Sequence, residues 1–128
     1  MFTNVINMTI SDAEGQVMEV LWRKSPLGAD EIAKALLGQQ SWQLATVKTL
    51  INRLLTKRAI SAEKDGRRYL YSPVLQRDAW LQEQSIGLLD RLFDGRLAPL
   101  VAHFSSHRKL KKSDLEALRK LLEDHDRA

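Results

Sequence analysis

At 128 residues, with 44% hydrophobic and 28% charged side chains, the chain has the size and composition of one globular domain or two small ones. It carries 20 Lys+Arg against 16 Asp+Glu, a net charge of +4, and no cysteine, which excludes disulfide staples, thiolate metal sites and cysteine nucleophiles. No apolar run approaches the roughly 18 residues of a membrane span, and Met1–Asn7 lacks the basic and apolar regions of a signal peptide, so a cytoplasmic address is expected.

Phe2 to Met8 gives no firm pattern and reads as a loose arm. Ser11-Asp12-Ala13-Glu14 has the form of a capping box and starts a helix, with Ala13, Val17, Val20 and Leu21 on its apolar face. That helix should stop before Ser25-Pro26, because the residue ahead of a proline avoids the α region. A second helix is expected over Asp30–Leu37, with Ile32, Ala33 and Leu36 inward and Gly38 as its stop. A third, over Leu44–Lys57, has the clearest period: Leu44, Val47, Leu50, Ile51, Leu54 and Leu55 fall in one arc. The opposite arc holds Ala45, Lys48, Thr49, Asn52, Arg53 and Thr56, without a single acidic group.

After Ala59 the period changes to that of a strand. Ile60–Lys64 and Arg67–Tyr71 flank Asp65-Gly66, the signature of a hairpin with a type I′ turn. That loop would set Lys64 opposite Arg67, Glu63 opposite Arg68, Ala62 opposite Tyr69 and Ile60 opposite Tyr71. From Thr46 to Arg68, seven basic side chains face only Glu63 and Asp65. Such a local basic region is either a solvated face or the footprint of a nucleic-acid binder.

The fold class expected is mostly α with a small β-hairpin: an N-terminal winged helix-turn-helix over 1–75, then a helical tail over 76–128. In a winged helix-turn-helix the third helix enters the major groove and Lys and Arg around it hold phosphates. Ala45, Thr46, Lys48, Thr49 and Asn52 are then nearest the bases, the methyls of Ala45 and Thr49 suiting thymine and Asn52 suiting adenine. Arg53, Lys64, Arg67 and Arg68 are phosphate contacts. The same fold can instead serve as a protein-interaction module, against which the acid-free helix face and the basic hairpin tip both argue.

In the tail, a long helix is expected over Gln76–Phe93, stopped by Asp94-Gly95. A short one carries Leu97, Leu100, Val101 and Phe104. A last one opens at a second capping box, Ser113-Asp114-Leu115-Glu116, and carries Leu115, Leu118, Leu121 and Leu122. A segment of this size buries too little surface to stand alone. Leu89, Phe93, Leu97, Leu100, Val101, Phe104, Leu115, Leu118 and Leu122 are therefore expected to meet a second copy, and a two-fold protein fits a two-fold DNA site. His103 and His107 lie one helical turn apart, but two ligands fall short of a metal site, so neither metal nor cofactor is expected. Trp22, Trp42 and Trp80 read as core rather than as a ligand cage. No nucleophile, phosphate-loop or zinc-protease motif appears, so no enzyme is expected.

From Ile10 to Glu123 the sequence resembles the BlaI/MecI/CopY penicillinase-repressor family. The resemblance rests on Ile10–Glu14 with Val17-Met18 and Leu21-Trp22, on Ala45–Leu54, on Lys64–Pro73 and on Leu89–Phe93. It implies a homodimeric winged-helix repressor that binds palindromes of TACA and TGTA half-sites upstream of β-lactamase, resistance or copper-handling genes. It assigns Thr46, Lys48, Thr49 and Arg53 to the recognition helix and Arg67 and Arg68 to the wing. In antibiotic-responsive members a membrane sensor protease signals cleavage of the tail at an Asn-Phe bond. The matching dipeptide here is His103-Phe104, a departure from the family pattern. The copper-responsive members bind metal through C-terminal cysteines, which this chain lacks. Many relatives have glycine where Arg58 stands, at a left-handed exit from the recognition helix.

Overall fold

A computed structural model describes residues 9–107 and 110–127. The expected arm at Phe2–Met8 lies outside the described residues. The elements run α1 (Asp12–Arg23), α2 (Ala29–Leu36), α3 (Leu44–Thr56), β1 (Ile60–Asp65), β2 (Arg68–Pro73), α4 (Arg77–Phe93), α5 (Leu97–His107) and α6 (Lys112–Asp126). The chain divides into two compact units, one ending at Leu81 and the other beginning at Gln82.

In the first unit α1, α2 and α3 pack on one another around Val17, Met18, Leu21, Ile32, Leu36, Val47, Ile51 and Leu54, each at most 2% exposed. The ends of the helices are set by the signals in the sequence. Ser11 Oγ accepts from the Glu14 amide (3.1 Å) while Glu14 Oε1 accepts from the Ser11 amide (2.9 Å), closing the expected capping box. At α2 the same reciprocity is half built: Glu31 Oε1 accepts from the Gly28 amide at 2.9 Å. Gly38 is not left-handed; α2 instead ends in tight turns in which the Gln39 and Gln40 amides both reach the Leu36 carbonyl. Leu44, expected in the apolar arc of α3, is 38% exposed; it is the first residue of the helix.

The exit from α3 is a Schellman motif. Arg58, at φ 63°, donates its amide to Leu55, and the Ala59 amide reaches back to Leu54. Ala59 and Leu54 are both fully buried, so this turn also seals the core.

The hairpin forms, but its register differs from the expected one. Asp65 pairs with Arg68, Lys64 with Tyr69, Glu63 with Leu70, Ala62 with Tyr71 and Ile60 with Pro73. The loop residues are Gly66 and Arg67, not Asp65 and Gly66. Gly66 alone of the two is left-handed (φ 66°), the pattern of a type II′ turn with glycine first, in place of type I′. Every cross-strand pairing shifts by two, so the like-charged Lys64–Arg67 pair and the Glu63–Arg68 pair do not form. Because the shift is even, the alternation of faces is preserved. On its outer side β2 is joined by Leu27, whose backbone exchanges hydrogen bonds of 3.1 and 2.8 Å with Tyr71. Trp22, Trp42 and Trp80 pack against the core. Trp22 donates its indole N–H to the Leu75 carbonyl (2.9 Å) and lies 5.4 Å, centroid to centroid, from Trp80.

The second unit has no buried residue in α5 or α6. Asp94 and Gly95, both left-handed, end α4 as expected. The second capping box is not made: α6 starts at Lys112 with Lys111 as its cap. Ser113 is therefore already inside the helix, where its hydroxyl cannot serve the open N–H groups ahead of it.

Candidate nucleic-acid interface

The solvent face of α3 is built by the period of its sequence. With Val47, Leu50, Ile51 and Leu54 inward, Ala45, Thr46, Lys48, Thr49, Asn52 and Arg53 are all exposed on the opposite side. The first turn of α3 has no acidic residue. The positive end of the helix dipole is thus left without a local counter-charge. Thr49 donates its hydroxyl proton to the Ala45 carbonyl (3.0 Å) and Thr56 to that of Asn52 (3.0 Å), so both protons are engaged within the helix while the hydroxyl oxygens can still accept.

Two concavities border this face. One, of about 250 Å³, lies between the start of α2, α3 and the hairpin, and is lined by Gly28, Ala29, Asp30, Lys48, Arg67, Arg68, Tyr69 and Tyr71. Lys48, Arg67 and Arg68, singled out by sequence from separate elements, converge there. The other is a shallow hollow of about 310 Å³ along α3, lined by Thr49, Asn52, Arg53, Thr56 and Lys57. Ala45, Thr46 and Lys64 are exposed but line neither. Both are net basic: the cleft sets Lys48, Arg67 and Arg68 against Asp30, and the hollow carries Arg53 and Lys57 with no acid.

Lys57 and the backbone of α2 were not among the residues expected at this surface. Lys57 is also tied inward: its Nζ lies 2.5 Å from Glu14 Oε1 and 2.7 Å from the Thr9 carbonyl. Burial pushes the Glu14 carboxyl up. The hydrogen bonds from Lys57 and Ser11 and the Lys57 charge more than offset that, and hold it below its ordinary range. On the far side of α1, Arg77 grips Glu19 with two hydrogen bonds of 2.8 and 3.2 Å and holds that carboxyl low as well.

The tail residues divide by exposure. Leu97, Phe104, Leu115 and Leu122 are between 41% and 62% exposed. Leu89, Phe93, Leu100, Val101 and Leu118 are half-buried. The His103 and His107 rings lie 4.5 Å apart, with His107 Nδ1 3.0 Å from the His103 carbonyl oxygen. Among the described residues no three His, Cys, Asp or Glu side chains gather as a metal site would need, and no helix is long and apolar enough to cross a membrane.

The sequence profile of the penicillinase repressor family matches residues 10–124. The chain belongs to the penicillinase repressor family. That family is one of transcriptional repressors, not enzymes. Among its relatives, the penicillinase repressor of Bacillus licheniformis is 32% identical over 116 residues, covering 91% of either chain. The methicillin resistance regulatory protein MecI of Staphylococcus aureus is 29% identical over 113 residues, 88% of this chain and 92% of its own. The solution structure of the DNA-binding domain of the repressor BlaI superposes with a TM-score of 0.51 at 32% identity, over 59% of this chain and 90% of that one. The matched share of a penicillinase-repressor chain thus includes the tail, while the solved domain answers to its DNA-binding part.

Proposed function

We propose that the chain is a homodimeric, sequence-specific DNA-binding repressor that reads a TACA/TGTA-type palindrome and controls β-lactamase or related resistance genes. The observation that carries this reading is the face of α3: acid-free, exposed from Ala45 to Arg53, and flanked by a cleft in which Lys48 meets Arg67 and Arg68. A basic cleft beside an apolar-backed helix suits a duplex, whose phosphates need cations and whose major groove admits one helix. Membership in a family of repressors supports the same conclusion. In this reading residues 1–75 hold DNA and the tail joins two copies.

Release through a membrane sensor protease pathway would cut at His103–Phe104. That bond lies inside α5, so the helix must unwind before a protease can take the segment as an extended substrate.

The test is binding of the purified chain to a labelled TACA–TGTA palindrome and to a scrambled duplex across a salt series. Palindrome-selective binding at two chains per duplex, weakening steeply with salt, is expected. Equal weak binding to both duplexes would reject the operator, and no binding to either would reject DNA as the partner in favour of a protein.

A further inference from the structure

Glu31 stands where an anion should be brought from outside. Its Oε1 accepts the Gly28 amide at the start of α2 (2.9 Å) and also faces Arg68 Nη1 from the wing (3.3 Å). A backbone donor at a helix start plus a guanidinium is the donor set that a phosphate oxygen seeks. Arg68 is simultaneously a wall of the cationic cleft with Lys48 and Arg67, whereas Glu31 lies outside that lining. The Arg68–Glu31 pair is also open to water, with the two side chains 58% and 46% exposed. An exposed pair with one long contact is weak and exchanges readily.

We propose that Glu31 is an internal competitor for Arg68: in the free protein it occupies the guanidinium that a duplex phosphate takes in the complex, and so lowers affinity for DNA of any sequence. This rests on the DNA-binding reading above. Because phosphate contacts carry no sequence information, the competition acts alike on operator and unrelated duplex. It tempers non-specific occupancy without touching the bases read by α3.

The test is Glu31→Gln, which keeps an acceptor for the Gly28 amide and so preserves the start of α2 while removing the charge. Binding to the TACA–TGTA palindrome and to the scrambled duplex is measured for wild type, E31Q, R68A and E31Q/R68A, with thermal unfolding to verify the fold. E31Q should tighten binding to both duplexes by about three- to tenfold, most at low salt where charges are least screened. In the R68A background the same substitution should gain nothing, since the cation being released is gone. E31Q that binds no tighter than wild type overturns the competition, and so does a gain that survives in R68A, which would reflect general charge removal. If wild type binds neither duplex at low salt, the DNA reading fails and takes this inference with it. Wild-type binding with an unchanged E31Q rejects the inference alone.

Discussion

Glu14 and Lys57 link the first and third helices through a 2.5 Å ion pair in which the carboxylate side chain is 2% exposed and the lysine 18%. The pair ties the C-terminal end of α3 to the capping box of α1, because the same Glu14 oxygen also holds the Ser11 amide. Helix start, interhelical contact and orientation of α3 thus depend on one carboxylate.

Its ionisation should make stability pH-dependent. The Glu14 carboxyl is held below 4.5 in the folded chain. A carboxyl whose folded pKa is depressed contributes stability fully above its unfolded value, and that contribution is lost as pH falls through the folded value. Wild type should therefore lose stability below about pH 4.5, and Glu14→Gln should lose much less over that range. At neutral pH the substitution should cost about 2 kcal/mol, less than a fully buried pair because Lys57 reaches water. Urea unfolding of both proteins at a series of pH values checks this; parallel acid curves would exclude Glu14 as the sensitive group.

Arg58 is the most exposed to improvement. It occupies the left-handed position of the Schellman turn at φ 63°, where an L side chain is strained and glycine is not. Its cation at the end of α3 recovers part of that cost through the helix dipole. Arg58→Gly should still stabilise the fold by about 0.5–1 kcal/mol, since the relief exceeds the added freedom of glycine in the unfolded chain. A rise in melting temperature would show it, and a fall would mean that the cation outweighs the strain.

Local signals carried part of the fold. The inward period of α3 from Val47 to Leu54, the Ser11 box and the Asp94-Gly95 stop are in the structure, whereas the Ser113 box, a left-handed Gly38 and an inward Leu44 are not. The left-handed Arg58 was legible only through resemblance. The hairpin existed in the alternation of its residues, but its register did not: Asp-Gly and Gly-Arg both offer a two-residue loop, and the pairing of Tyr71 with Leu27 on the other side of β2 is a long-range fact. The ion pairs of Glu31 and of Lys57, the latter counted only as one of the basic residues of Thr46–Arg68, were not legible for a similar reason. Each of the two is an ordinary charged residue on a helix, and only packing sets Glu31 beside Arg68 and Lys57 beside Glu14.

The cations and Asn52 on the exposed face of α3 should separate in their effects on affinity and on specificity. Lys48→Ala removes a cation from the cleft, so it should weaken operator and scrambled duplex together and flatten the salt dependence by about 0.9 in slope. Arg53→Ala should likewise weaken both. Asn52→Ala should instead relax discrimination at one position by about 1–3 kcal/mol and leave non-specific binding unchanged. All three side chains are exposed, so the fold should survive. A uniform loss in N52A would move Asn52 from base to backbone contact.

The tail offers the last test, because its apolar surface is arranged as a stripe. Leu115, Leu118 and Leu122 recur at helical spacing along α6, with Leu115 at 46% and Leu122 at 62% exposure and Leu118 half-buried. Each leucine left about half in water forgoes about 1 kcal/mol of burial, and monomeric proteins rarely leave such rows uncovered. In a two-fold interface each position occurs twice, so a charge placed there is buried twice and is brought near its own copy. On the proposed dimer, wild type should sediment as two chains and Leu115→Glu with Leu122→Glu as one at the same concentration. The α1–α3 unit should melt as before, since neither residue lies in it. Operator affinity should fall toward that of a single half-site, because the second half-site is no longer bound through a tether. A doubly substituted chain that still sediments as a dimer would place the interface on α4 or α5 instead, where Leu92 and Leu97 are also exposed.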